Sequence, residues 1–129
     1  MKKRTFLKCS LTALAAGVAA LHAVPVSAKK YGVALDKVPA LKKAGGTVTI
    51  RLAEKDILLI RVSDSEVRGF VAVCTHRACP VSYEKNQIVC HCHSSHFDLD
   101  GKVKSGPAQK SLSRVPVVLD GSRIIVGDL

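Results

Sequence analysis

The stretch Cys74-Thr75-His76-Arg77-Ala78-Cys79-Pro80, with its counterpart Cys90-His91-Cys92-His93-Ser94-Ser95-His96-Phe97, decides how this chain is read. Four of the five cysteines fall between Cys74 and Cys92, and four of the five histidines between His76 and His96. Each cluster offers a thiolate and an imidazole two or three residues apart, so one short loop can present both to a metal. Two loops of this kind make a four-ligand cage. One reading of the cage is structural zinc held by two cysteines and two histidines, which leaves two further cysteines without a role. Another is a pair of plain disulfides with surface histidines, which asks only for an oxidising compartment.

Taken with their neighbours, Cys74-x-His76-x-x-Cys79 and Cys90-x-Cys92-His93-x-Ser95 resemble the two boxes of Rieske proteins from cytochrome bc complexes. The resemblance covers residues 44–129 and extends to Gly106-Pro107-Ala108, which is similar to the third loop that covers the cluster in those proteins. It implies an all-β domain of antiparallel sheets with two cluster-binding loops at the tip, and a [2Fe–2S] cluster as cofactor. Position by position, it makes Cys74 and His76 of the first box and Cys90 and His93 of the second the ligands. It also implies a disulfide between the remaining pair, Cys79 and Cys92, which separates this branch from the ferredoxins of ring-hydroxylating oxygenases.

The chemistry explains the mixture of ligand types. Two thiolates on one iron and two neutral imidazoles on the other leave the oxidised cluster formally neutral, so an added electron is accommodated more easily than in a cluster held by four thiolates. Such centres span about −150 to +300 mV, against about −400 mV for plant-type clusters. Residues around the cage tune that value. Ser95 keeps the family's hydroxyl donor, whereas Phe97 stands where the family has a Tyr whose hydroxyl bonds a ligand sulfur; its loss predicts a potential below the top of the range. Ala78 and Ser94 replace glycines and His91 replaces a proline, so altered loop geometry is expected at 78 and 94. With the four ligand positions filled, His91 and His96 are expected to be exposed loop residues.

Around the boxes the chain reads as strands. Thr47–Leu52, Asp56–Val62 and Val67–Val73 are β-branched or aliphatic runs separated by polar turns, an antiparallel meander. Gln87–Cys90 and His96–Leu99 are short strand candidates. Asp100-Gly101 and Asp120-Gly121 are hairpin signals, the second joining Val115–Leu119 to Arg123–Val126. Residues 29–43, with charges and Pro39, read as a linker leading to a turn at Gly45-Gly46 and a domain over residues 44–129.

Residues 1–28 have the form of an export signal: a basic start, an apolar stretch from Leu11 to Val26, and small residues at Val26-Ser27-Ala28. Lys3-Arg4-x-Phe6-Leu7-Lys8 resembles the twin-arginine signal, whose route carries proteins folded around their cofactors. An uncleaved anchor is the alternative, although the apolar stretch is short against the span of about 20 residues that a membrane requires. The expected location is the bacterial periplasm, soluble or tethered to the inner membrane by residues 1–28. Removing this segment takes away four cations and no acid, lowering the formal net charge from +10 to +6. With five aromatic residues in 129 and no Trp, a stacking platform for nucleic acid is excluded.

The expected function is electron transfer by a relay that is not catalytic alone. It would accept electrons from quinol or a partner oxidoreductase and pass them to a cytochrome. Non-Gly at 94 with Phe97 also resembles the small Rieske subunit of arsenite oxidases, a molybdenum enzyme, which gives the second reading. A zinc-stabilised binding module is the third.

Overall fold

A computed structural model describes residues 29–127 and Leu129; the expected export signal, residues 1–28, lies outside the described residues. Eleven strands follow one another: β1 Lys30–Ala34, β2 Thr47–Leu52, β3 Lys55–Arg61, β4 Val67–Val71, β5 Ser82–Glu84, β6 Gln87–Cys90, β7 Ser95–Phe97, β8 Val103–Ser105, β9 Arg114–Val115, β10 Val117–Asp120 and β11 Arg123–Gly127. Every pairing is antiparallel. They form a central sheet β2-β3-β4-β9, a second sheet β5-β6-β7-β8, and a three-stranded sheet β1-β11-β10.

Why the central sheet lies in the middle is written in β3. Its run Ile57-Leu58-Leu59-Ile60 is buried without a break, and side chains along a strand alternate between faces. Ile57 and Leu59 pack with Val38, Leu41, Val67, Val115, Ile124 and Val126. Leu58 and Ile60 join the other core, with Phe70, Ala72, Ile88, Phe97 and Leu112. One strand therefore serves two cores, and each of these four side chains contributes about 2 kcal/mol on burial.

Turn chemistry fixes the registers. Ala53 and Glu54 both have positive φ, 46° and 64°, between the paired Leu52 and Lys55; this is the two-residue hairpin loop whose twist matches that of the strands it joins. Lys85 and Asn86 repeat it between β5 and β6, with φ of 47° and 62°. At the expected Asp100-Gly101 turn, Asp98 Oδ1 accepts bonds from the backbone N–H groups of Asp100 and Lys102, and Gly101 takes a φ of 83°.

Two expectations are corrected. Residues 29–43 are not a linker: β1 pairs with β11 from Lys30–Gly127 to Ala34–Arg123. Leu41, in the 3₁₀ turn Pro39–Lys42, is fully buried. Arg61, itself buried, donates to the Leu41 carbonyl at 2.9 Å and to those of Ser63 and Asp64, tying that turn to β3. The expected strand Val115–Leu119 is broken by Pro116, which has no N–H to give to a ladder; β9 stays on the central sheet and β10 crosses to the outer one.

Candidate metal centre

The two boxes occupy loops at one end of the second core. The first closes on itself: Cys74 N–H donates to the Cys79 carbonyl at 2.7 Å and Ala78 N–H to the Cys74 carbonyl at 2.9 Å, while Val73 bridges to Pro80. The second is the connection from β6 to β7, with Cys90 and Ser95 paired across its base. Cys79 and Cys92 are joined as a disulfide, Cα–Cα 6.4 Å, stapling the loops together.

A third segment seats on both. Thr75 Oγ1 donates to the Lys110 carbonyl at 2.6 Å, and Ala108 N–H donates to the buried Ser95 Oγ at 3.2 Å. A Cβ built at Gly106 would lie 2.5 Å from the Ser94 carbonyl oxygen and 2.6 Å from Ser95 Cα, so only glycine fits that approach. Ser95, expected as a donor, thus already accepts a backbone bond, and its O–H remains available for an acceptor in the cage.

Both positions where glycine was expected take the left-handed conformation that glycine adopts freely: φ is 56° at Ala78 and 57° at Ser94. The loops bear the strain of holding side chains there, about 1 kcal/mol for each non-glycine residue after allowing for the entropy glycine loses on folding. Ala78→Gly and Ser94→Gly are each expected to raise Tm by about 4 °C, measured by thermal denaturation of the cluster-loaded protein; a lower Tm in both would mean that the left-handed residues carry no strain.

The four expected ligands come from both loops. Cys74 and Cys90 are buried and free. Burial pushes the Cys90 thiol above its ordinary pKa, as does the neighbouring Cys74 thiol, while the backbone N–H groups of Cys92 and His93 pull it down. Two buried thiols side by side, one of them faced by amide donors, suit sulfurs that lose their protons to a metal and need their added charge stabilised. The sulfurs of Cys79, Cys90 and Cys92 lie within 4.8 Å of one another, but the first and last are bonded together, which leaves Cys90 as the free thiol of the three.

The imidazoles sit edge to face, with centroids of His76 and His93 4.9 Å apart at 82°. Among the described residues, His76 Nδ1 is a buried nitrogen with no hydrogen-bond partner. Leaving such an atom unsatisfied costs about 1–3 kcal/mol, and an Nδ1–metal bond satisfies it. The donor set fits an iron–sulfur group with two cysteines and two histidines.

His91 and His96 stand outside this cage. His91 is exposed, its Nε2 2.5 Å from Glu84 Oε1, and that contact, then Ser82, holds the Glu84 carboxyl below its ordinary pKa. His96, expected in a loop and exposed, is half-buried within β7, opposite Val89. Phe97 is fully buried in the second core. The Thr75–Lys110 and Glu84–His91 contacts had no signal in the sequence beyond polar residues at nearby positions.

Residues 32–116 match the family model described as Rieske [2Fe-2S] domain. The cytochrome b6-f complex iron-sulfur subunit of Prochlorococcus marinus is 39% identical over 72 residues, 53% of this chain and 40% of that protein. The mitochondrial cytochrome b-c1 complex subunit Rieske of Schizosaccharomyces pombe is 36% identical over 70 residues, 52% of this chain and 31% of its own length. The chain thus spans well under half of these curated relatives. Among solved structures, the plasma membrane Rieske protein of Synechocystis PCC 6803 superposes with a TM-score of 0.61 at 24% identity, covering 74% of this chain and 97% of that one, which supports the fold.

Proposed function

Because the chain belongs to the Rieske [2Fe–2S] family, we propose that Cys74, Cys90, His76 and His93 would hold its cluster, His76 through Nδ1, and that the protein is an exported electron-transfer subunit of a cytochrome bc-type assembly. The orphaned, buried Nδ1 of His76 carries the ligand assignment. The cluster supplies a one-electron couple at a formal charge low enough to be reduced readily. The chain's residues do the rest: the disulfide fixes the loop spacing, the amides of Cys92 and His93 face a ligand sulfur, and Ser95 offers a hydroxyl.

Aerobic purification of the full chain should yield two irons and one paramagnetic centre per reduced chain. A colourless protein with bound zinc would sink the reading. The b6-f and b-c1 relatives favour a bc-type partner, and within it we propose quinol as the donor and a cytochrome as the acceptor. The arsenite-oxidase-like alternative draws on Ser94 and Phe97. A pull-down from membranes and periplasm separates them, cytochrome b marking the first and a molybdopterin subunit the second.

The location we propose is the bacterial periplasm, on the strength of the basic, apolar and small-residue order of residues 1–28. Among the described residues no helix is long and apolar enough to cross a membrane.

Phe97 also bears on the potential. A Tyr hydroxyl placed there and bonded to a ligand sulfur would favour the reduced state by about 1 kcal/mol, or about 40 mV for one electron. Phe97→Tyr is therefore expected to raise the potential by that amount in a redox titration, and an unchanged potential would show that the ring is too far from the sulfur to act.

A further inference from the structure

We propose that the metal-centre end of the molecule is a docking surface for the acidic face of a redox protein, built from Arg77, Lys104 and Lys110. The inference rests on the electron-transfer reading above and adds the chemistry of the partner. Three segments meet around the centre, residues 74–80, 91–95 and 104–112, and together they contain three formal cations and no carboxylate. Arg77 and Lys110 are exposed in their loops, and Lys104 is exposed on β8, two residues before Gly106. Among the described residues none of the three forms a salt bridge, whereas Asp36, Asp56, Glu66 and Asp100 are matched to Lys42, Arg51 or Arg68. The carboxylate that does touch a site loop, Glu84, is already engaged by His91 and Ser82.

Geometry gives the collar something to guide a partner towards. An open cleft of about 580 Å³ is lined by Thr75, His76, Pro107, Gln109 and Lys110. One wall is therefore a proposed ligand and another a cation, and the Thr75–Lys110 hydrogen bond fixes their separation. A carboxylate-bearing loop entering this cleft finds Lys110, and beside it His76, a proposed ligand. Single-sign charge around a concave site raises encounter rates and makes them fall with salt. An anionic membrane would answer to the same charges, but it presents a flat array of phosphates and has no use for a cleft beside His76.

Full-length protein, reduced with dithionite, is mixed in a stopped-flow instrument with hexacyanoferrate(III) or with tris(phenanthroline)cobalt(III); each takes one electron from the protein, and no bond is made or broken. Oxidation by the anion should slow by about tenfold between low and physiological ionic strength while oxidation by the cation quickens. The R77E/K104E/K110E variant should invert that order with an unchanged visible spectrum. Redox-inert hexacyanocobaltate(III) should bind the parent in equilibrium dialysis and fail to bind the variant. Equal salt response to both oxidants in a protein showing its cluster spectrum overturns the docking surface alone, whereas a protein without that spectrum overturns the electron-transfer reading. Sedimentation of the parent, and not of the variant, with phosphatidylglycerol vesicles would reassign the collar to a membrane and overturn the protein partner.

Discussion

The His93→Cys variant should take up iron and show a reduction potential at least 200 mV below that of the parent. His93 contributes a neutral imidazole; a cysteine at the same position contributes a thiolate, so the cage gains a full negative charge and the reduced state bears the cost. Clusters with histidine on one iron span about −150 to +300 mV, and all-thiolate clusters of the plant type lie near −400 mV, so one exchange covers a large part of the gap. A shift of 200 mV is about 4.7 kcal/mol for one electron. The cysteine side chain reaches less far than that of histidine, and the exposed position of His93 leaves the loop room to adjust. Cyclic voltammetry on the loaded variant measures the shift. A potential equal to the parent's would show that His93 is not a ligand.

Breaking the staple is the second large effect. In the Cys79→Ser/Cys92→Ser variant the cross-link between residues 13 apart is gone, and a loop of that size restricts the unfolded chain by about 3 kcal/mol in the chain-entropy description. For a domain of this size a loss of that order lowers Tm by about 15 °C. The effect should exceed that of any single surface change, because both loops depend on the bond for their spacing while, among the described residues, side-chain hydrogen bonds of Thr75 and Ser95 tie them to the third segment. Scanning calorimetry of the oxidised parent and the variant, both loaded, reads it directly. A difference below about 3 °C would mean that the loops hold each other without the bond.

Local chemistry made the central parts of this molecule legible in its residues. Thr47–Leu52 and Gln87–Cys90 are bounded as expected because hydrophobic runs end at turn residues, and the Asp98–Lys102 turn follows from Asp98 and Gly101. What stayed hidden depends on distant sequence. Lys30-Tyr31-Gly32-Val33-Ala34 follows Lys29 and has a lysine of its own, a glycine and half-exposed alternation; only β11, nearly the whole domain away, makes it a strand. The continuous apolar run of β3 marked a strand but not the two cores it would separate, since periodicity within one segment does not say what covers each face. At the metal centre the residue types were readable, because thiolates and imidazoles at these spacings have few other uses. The left-handed Ala78 and Ser94 were not: their side chains disfavour that conformation, and the surrounding loop imposes it.

The pairing of β1 with β11 has a mechanical consequence. The chain enters and leaves the domain through the same outer sheet, and the central sheet stands between that layer and the one whose loops carry the metal centre. Both ends are thus handles on the back of the molecule. A leash, a fusion partner or an immobilising tag attached to either one leaves the electron-exchanging tip facing outward and free to pivot.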